Sequence, residues 1–358
     1  MAAEGYRSMT TPYSTQPPRA FWRNAVSERH PLAMDDWYRR KFPISELRIA
    51  TAGSCFAQHI GRELRESGYS YVDVEPAPSF LPEELRRDYG YNLFSARYGN
   101  IYTPRQLLQL LQRATGQIQH RPTHVWKLGD GVVDAFRPTL QPEPFGSVAE
   151  LEESRDAHLA AVLNLFETAD LFVFTLGLTE AWVSADDGAA FPICPGAKSG
   201  GKFDPALHRF ANFGYAEVVE DMEAFLAGAR RIKPGLKVLL TVSPVPLVAT
   251  ATQHHIVTAT TYSKSVLRAA AGHLSAAHDF IDYFPSFEII SSTPMRSQFY
   301  DPDMRGVSPF GVAHVMKQFF KEHPPLTAAA NGKSEAVVAN ADLVRCDEEL
   351  LAAFGPAS

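Results

Sequence analysis

Two adjacent residues, Ser54 and Cys55, carry hydroxyl and thiol groups that can act as nucleophiles. They follow the apolar run LRIATA at 47–52, which is typical of a strand buried in a sheet, and Gly53 ends this run in a turn. The apolar residues that recur at helical spacing after the turn are Phe56, Ile60 and Leu64. This spacing predicts a helix that begins at about Ser54 or Cys55. Ser54 would cap the helix, and the Cys55 thiol would lie beside free backbone N–H groups that favour a thiolate or an oxyanion.

Both residues also have an ordinary structural interpretation. Serine is a common N-cap residue, and free cysteine is among the residue types that are most often buried. A Ser-Cys pair after a strand does not establish catalysis by itself, so both interpretations stay open at this point.

Strands and helices alternate along the rest of the chain. The run Leu171–Gly177 is apolar almost throughout, as expected for a central parallel strand. Further strands are predicted at 69–74, 236–242 and 280–284, and helices at 105–113, 148–168 and 215–232. This alternation predicts an α/β fold with a doubly wound, mainly parallel sheet flanked by helices in three layers and interrupted by loop-rich insertions. Functional groups in such a fold lie at the carboxyl ends of the strands.

Two loops join predicted strands and helices near these ends. Gly99 and Asn100 precede the helix at 105–113, which Thr103 caps with Pro104 at its first position. On local grounds the Gly-Asn pair is also an ordinary turn. The loop-rich segment 184–213 is long enough to be a lid or a substrate-binding insertion. It lacks the spacing of a phosphate-binding loop, so we do not expect one there.

Histidines that could move a proton lie in the C-terminal half. His254 and His255 are adjacent and therefore point to different faces in any regular structure, so they do not form a ready metal pair. At best one of them faces the site. A helix is predicted from Tyr262 to about His278. His314 follows in another helical segment, where a single histidine is usually packed against its neighbours.

Length and composition exclude several classes of protein. The 358 residues carry a formal net charge of −6 without a Lys/Arg run, so a nucleic-acid partner is not expected. No stretch of about 18 apolar residues occurs, so no membrane span is expected. The stretch 1–18 lacks the apolar core of a signal peptide, and three widely spaced cysteines favour free thiols. We therefore expect a cytoplasmic enzyme, and its oligomeric state stays open.

Composition also divides the chain into three parts. Residues 1–45 form an arm rich in proline and aromatic residues, which we expect to pack on the domain. Residues 46–325 form the domain itself. Residues 326–358 form a polar tail with a short docking helix at 347–354, and Cys346 is expected to be structural or unpaired.

The string GSCFA at 53–57 resembles the signature of the GSCFA family, and the resemblance extends from about Pro12 to Phe320. That family looks like a divergent branch of the SGNH (GDSL-type) hydrolases, which implies an SGNH-hydrolase-like fold. The resemblance places Cys55 in the nucleophile position, and a shift of one residue would place Ser54 there. It also implies that Gly99 with Asn100 donates to the oxyanion, and that Thr179 stands where those hydrolases have an oxyanion-binding Asn.

One departure from the SGNH pattern concerns the catalytic base. Those hydrolases carry D-x-x-H, whereas this chain has Asp303 followed by Gly306 in place of the His. A serine without a base is a poor nucleophile, while a cysteine near a helix N-terminus depends less on one. The departure therefore favours Cys55 over Ser54, with His255 as the replacement base and His314 as a weaker choice.

The resemblance implies an SGNH-like esterase or acyltransferase that acts on an acyl ester, of a carbohydrate or polysaccharide, through a covalent acyl-enzyme. No cofactor and no metal are expected, and acyl-coenzyme A would serve as co-substrate if the reaction is a transfer. The alternative is a catalytically degenerate SGNH-like protein that binds carbohydrate or acts as a scaffold. The missing His and the missing Asn motivate that alternative.

Overall fold

The computed structural model describes residues 11–196, 199–326 and 347–354. The strands are β1 Ile49–Gly53, β2 Val125–Leu128, β3 Gly131–Asp134, β4 Leu171–Leu176, β5 Glu180–Ser184, β6 Ala190–Phe191, β7 His208–Asn212, β8 Lys237–Val242 and β9 Ile281–Tyr283. The α-helices are α1 Ala57–Glu66, α2 Glu83–Arg86, α3 Pro104–Ala114, α4 Val148–Thr168, α5 Tyr215–Ile232, α6 Ile256–Ala277, α7 Ser286–Ser291 and α8 Pro309–Glu322. The predicted C-terminal helix is a 3₁₀ helix over Asp347–Phe354, and Cys346 lies outside the described residues.

A four-stranded parallel sheet in the order β1-β4-β8-β9 forms the centre of the molecule. In its register Gly53 lies opposite Thr175, and Leu176 lies opposite Val242. Both faces of the sheet are covered, so β1 and β4 are buried along their whole length, which explains their nearly continuous apolar sequences. The predicted α/β fold with a mainly parallel sheet and flanking helices is confirmed.

The predicted second strand at 69–74 is shorter than expected. It makes a single parallel bridge, between Tyr71 and Ile49, with hydrogen bonds to Ile49 from the flanking backbone. Its position beside β1 nevertheless gives the spatial order 2-1-3-4-5 when the five segments are counted along the chain. In this order the chain changes direction between β1 and β4, and ligands in doubly wound sheets bind at that switch point.

The sheet separates two apolar cores. On β4, Phe172 and Phe174 face one core, and Leu171 and Val173 face the other, as the two-residue period of a strand requires. Helices α3 to α6 supply the first core, and helices α1, α7 and α8 supply the second. This arrangement gives three layers.

The segments outside the main sheet have more structure than the sequence predicted. The stretch expected to be a loop at 184–213 contains β6 and β7, which pair with β5 in an antiparallel sheet. In the N-terminal arm, Tyr38 and Phe42 are buried in the second core, whereas Trp22 is exposed. The packing expected for the arm is therefore confirmed for its C-terminal half.

Candidate active site

The turn at Gly53–Ser54 brings the candidate nucleophiles to the end of β1. Gly53 has φ +142°, and a Cβ atom at this position would lie 2.5 Å from the carbonyl oxygen of Thr175, so only glycine fits. The amide of Ser54 then donates to that same carbonyl at 3.2 Å. The predicted nucleophile position therefore lies at the carboxyl ends of two adjacent central strands.

Helix α1 begins later than the sequence predicted. Its first residue is Ala57, its N-cap is Phe56, and no side chain caps it. The prediction that Ser54 caps the helix is therefore wrong. The Ser54 hydroxyl is instead buried and finds no hydrogen-bond partner among the described residues. A buried hydroxyl without a partner costs free energy, which is a common feature of functional sites.

The thiol of Cys55 is buried in the first tight turn of this segment. The amides of Ala57, Gln58 and His59 donate back to the carbonyls three residues earlier, at 2.9 to 3.2 Å. The sequence predicted free amides here that could bind an anion, but these three amides already donate within the turn. The amide of Phe56 donates to no backbone carbonyl of the described chain.

The loop that carries Gly99 and Asn100 lies against the end of β1. The amide of Ile101 donates to the carbonyl of Gly53 at 2.9 Å, and Gly99 takes the left-handed conformation at φ +68°. The Asn100 side chain accepts from Nε2 of Gln58 at 3.3 Å and donates to the carboxylate of Asp347 at 2.9 Å. The loop is therefore next to the turn, as predicted, and the C-terminal helix contacts it.

The loop after β4 completes this arrangement. The amides of Gly177 and Leu178 donate to the carbonyl of Tyr102 at 3.1 and 2.9 Å. A Cβ atom on Gly177 would lie 2.8 Å from Cβ of Ser54, so the loop after β4 and the turn after β1 are in direct contact. Three sequence segments, which begin at Gly53, Gly99 and Gly177, thus meet at one place.

Thr179 follows in this loop and is fully buried. Its amide donates to Oγ of Ser263 at 3.0 Å, and its hydroxyl donates to Oδ1 of Asn212 at 2.7 Å. The single hydroxyl proton is therefore used within the protein, and Thr179 would have to rotate before it could donate to a substrate.

His255 is exposed and is the N-cap of α6, where its Nδ1 accepts from the amide of Val257 at 3.2 Å. The sequence predicted that this helix begins at Tyr262, but it begins at Ile256, and this earlier start gives His255 its capping position. Ser54 has no histidine among its hydrogen-bond partners in the described chain. His314 is packed against Phe299 with ring centroids 4.7 Å apart, and burial lowers its pKa.

Lys264 also lies at this site, although no sequence motif indicated it. It is buried, and its Nζ donates to the carbonyl of Gly177 at 2.7 Å, on the residue that touches Ser54. Its position in the sequence could have revealed it, because Lys264 is in phase with Leu267 and Ala271 on the buried face of α6. A lysine on such a face needs a specific partner.

A cleft of about 540 Å³ begins beside Leu178. Its walls are mostly apolar and include three aromatic side chains, of which Trp182 contacts both Phe203 and Phe210. Glu180 lies at its edge, accepts from the hydroxyl of Thr250 at 2.7 Å, and has a pKa that burial raises. Such a cleft accepts a ligand with an apolar face and few charges.

In place of the D-x-x-H motif the structure has a turn. Oδ1 of Asp303 accepts from the amides of Arg305 and Gly306, both at 2.9 Å. A side chain at Gly306 would lie 2.7 Å from Oδ2 of Asp301. Among the described residues, no group of three or more His, Cys, Asp or Glu side chains could hold a metal ion.

A match to a protein-family model identifies the family of this chain. The model of the GSCFA family matches residues 48–319, which is most of the chain. The chain belongs to the GSCFA family. The matched residues include the Gly53, Gly99 and Gly177 segments of the candidate site, whereas the C-terminal helix at Asp347 lies outside the matched range. No curated protein matches the chain. Within the part of the chain that the structure describes, no helix is long and apolar enough to cross a bilayer.

Proposed function

We propose that the protein is an SGNH-like esterase or O-acyltransferase that forms a covalent acyl-enzyme on Cys55 or Ser54. The observation that carries this proposal is the meeting of the Gly53, Gly99 and Gly177 segments at the switch point of the sheet, around a buried hydroxyl that has no partner among the described residues. A nucleophile at a strand-to-helix turn, with two glycine-containing loops beside it, suits attack on an acyl carbon.

The proposed reaction proceeds in two steps. The sulfur or oxygen nucleophile attacks the acyl carbonyl carbon and gives a tetrahedral oxyanion, which the amides of Phe56 and Gly99 and the side chain of Asn100 would stabilise. The ester C–O bond then breaks, and the alcohol leaves with the proton that the nucleophile gave up. Water or a sugar hydroxyl next attacks the acyl-enzyme and releases the acid or a new ester.

Two residues are proposed to handle charge and protons. His255 is the proton carrier that the sequence indicated, although its exposed capping position requires the start of α6 to move towards the nucleophile. Lys264 is already buried at the carbonyl of Gly177, and a cation there favours a thiolate at Cys55. We therefore propose Cys55 as the nucleophile and Lys264 as the cation that stabilises its thiolate.

The cleft beside Leu178 supports an acylated carbohydrate as the substrate. The faces of Trp182, Phe203 and Phe210 offer flat apolar surfaces for a sugar ring, and Glu180 with Thr250 offers polar groups at the edge. If the reaction is a transfer, acyl-coenzyme A would supply the acyl group. The sequence features also favour a cytoplasmic location for this activity.

The test of the proposal is acyl-enzyme formation. The purified protein is mixed with p-nitrophenyl acetate or acetyl-coenzyme A, and the acetylated peptide is identified by mass spectrometry. We expect an acetyl group on Cys55, loss of most turnover in Cys55→Ser, and retention of turnover in a folded Ser54→Ala variant. An acetyl group on Ser54, together with loss of turnover in Ser54→Ala and retained turnover in Cys55→Ser, would identify Ser54 as the nucleophile. No turnover and no adduct with either donor would refute the enzyme proposal.

Thiol labelling provides an independent test of the nucleophile. Burial raises the pKa of Cys194 to about 11, so this cleft-lining thiol is a slow internal reference. We expect iodoacetamide to label Cys55 faster than Cys194 near neutral pH. In Lys264→Met the labelling of Cys55 should slow, while Lys321→Met, at an exposed position on α8, should behave as wild type.

A second candidate function is carbohydrate binding without catalysis. The exposed position of His255, Gly306 at the D-x-x-H position, and the aromatic cleft favour it. Binding of a polysaccharide that Trp182→Ala abolishes, in a protein that forms no acyl adduct, would support this function over the enzyme.

A further inference from the structure

A second cavity lies close to the site, enclosed by α3, α4 and the β2–β3 hairpin. Its volume is about 30 Å³, and its polar lining includes three arginines, Arg113, Arg137 and Arg155, which are at most 8% exposed. Arginine is almost never fully buried unless it is paired, so three in one small cavity require an explanation.

The carboxylates around this cavity do not neutralise the arginines. Asp134 accepts from Nε of Arg137 at 3.0 Å and from Nη2 of Arg155 at 2.9 Å. Although burial opposes ionisation, these two cations hold the pKa of Asp134 well below its usual range. The guanidinium of Arg113 has no ion pair among the described residues and lies 3.7 Å from the ring centroid of Phe136.

Besides Asp134, two carboxylates of the described chain contact residues that line the cavity: that of Asp347, which accepts from Asn100, and that of Glu75. The Glu75 carboxylate accepts from the amide of Arg97 and contacts Nδ1 of His158 at 2.7 Å. Burial, with the charge of Arg137 nearby, lowers the pKa of His158. Neither of these carboxylates forms an ion pair with the three arginines, so within the described residues their guanidinium groups have a single carboxylate partner, Asp134.

Hydrogen-bond donors are in excess as well. Around this cavity, four buried guanidinium nitrogens have no hydrogen-bond partner among the described residues: Nη1 of Arg113, Nη1 and Nη2 of Arg137, and Nε of Arg155. Both ring nitrogens of His120, which also lines the cavity, are unpartnered too. Arginine can only donate, so the missing partner must be an acceptor, and three guanidinium groups with one carboxylate partner favour an anion.

We propose that this cavity binds a small oxyanion, a phosphate group, between Arg113, Arg137 and Arg155. The cavity is too small for a sugar ring, so the ligand is either free phosphate or the terminal phosphate of a larger molecule. Asn100 lines this cavity and also contacts Asp347, so the phosphate lies next to the proposed oxyanion loop. The inference does not depend on the proposed enzyme activity.

Thermal unfolding of the full chain tests this site directly. At constant ionic strength, 10 mM inorganic phosphate should raise the melting temperature by about 2 °C or more, whereas chloride should have no effect, because a ligand of the folded state stabilises it. Calorimetric titration with phosphate gives the affinity. If glucose 6-phosphate binds with tenfold higher affinity than inorganic phosphate and glucose does not bind, the ligand is a phosphorylated molecule. If glucose 6-phosphate binds equally or more weakly, the ligand is free phosphate.

Two variants on one helix make the test specific. Arg113→Gln should weaken phosphate binding at least tenfold, while Arg105→Gln, which removes an ion pair with Asp221 on the same helix α3, should keep the phosphate response. Arg113→Lys replaces Arg113→Gln if the latter fails to fold, and it should bind phosphate more weakly than wild type. No phosphate effect on the wild type, or an unchanged effect in the Arg113 variant, would overturn the proposal.

Discussion

Individual residues at the site are fixed by very close packing. Gly53 and Gly177 have no side chain because Thr175 and Ser54 already occupy the space where a Cβ atom would lie. Ser54 is thereby held against a neighbouring loop, and within the described part of the chain its buried hydroxyl has no hydrogen-bond partner. At this scale the site places backbone close to a reactive side chain, which is a typical use of glycine.

A buried histidine beside the candidate nucleophiles makes the stability depend on pH. Burial, together with Arg62 and Arg87, lowers the pKa of His59 to about 3, from an ordinary value of about 6.5. Between these two values the unfolded chain binds a proton that the folded protein does not, so stability is lost as the pH falls below about 6.5. The contribution is at most about 1.4 kcal/mol per pH unit for one proton.

Denaturant unfolding between pH 7 and pH 4 measures this loss. We expect His59→Gln to flatten the dependence of the unfolding free energy on pH by about that amount. His254→Gln, at an exposed residue, is the control and should keep the wild-type slope. Equal slopes for wild type and His59→Gln would contradict the assignment.

Among the elements, helix α3 connects the fold to the site. Thr103 and Gln106 form a capping box at its start, in which the Thr103 hydroxyl accepts from the amide of Gln106 at 3.3 Å. Oε1 of Gln106 also accepts from the amide of Tyr102 at 3.0 Å. The carbonyl of Tyr102 in turn holds the amides of Gly177 and Leu178, so the cap positions the loop after β4.

Two N-cap variants separate stability from site geometry. Thr103→Ala and Ser147→Ala, which removes the cap of α4, should each lower the unfolding free energy by about 0.5–2 kcal/mol. Only Thr103→Ala should also reduce acyl-enzyme formation, because Ser147 lies at the start of a helix that does not hold the loop. Equal effects of both variants on acylation would show that α3 does not position the site.

On the scale of the whole molecule, the N-terminal arm closes the second core. The phenol of Tyr38 donates to Oδ2 of Asp282 at 2.6 Å, and the amide of Lys41 donates to the same oxygen at 2.9 Å. Burial and the charge of Asp282 raise the pKa of Tyr38 well above its usual range. The arm is therefore joined to β9 by buried polar contacts as well as by apolar packing.

Removal of the Tyr38 hydroxyl should destabilise the whole fold. In Tyr38→Phe a buried carboxylate loses one of its donors, which we expect to cost about 1–3 kcal/mol of unfolding free energy. Tyr13→Phe, at a residue that is 72% exposed, should have no measurable effect. Urea unfolding of the three proteins compares them, and an unchanged midpoint in Tyr38→Phe would mean that the arm does not support the core.

Local sequence determined the elements of this protein and the class of its fold. The spans of α4 and α5, and the central position of β4, were predicted from apolar period and capping residues, because these signals lie within each segment. The shared position of the Gly53 and Gly177 loops also followed, because the carboxyl ends of parallel strands share one edge of a sheet, whereas the place of Gly99 was implied only by the family resemblance. The start of α1 was predicted wrongly, since a tight turn through Cys55 and Phe56 precedes its first residue.

Tertiary structure alone decided which side chains meet. Lys264 lies 87 residues from its partner Gly177, and Arg113 and Arg155 lie on different helices around one cavity. No local pattern contains such pairings, because they depend on how helices pack across the sheet and on which polar groups remain unpaired afterwards. The same packing gave His255 an exposed capping position and buried the Ser54 hydroxyl where no residue that the structure describes bonds to it.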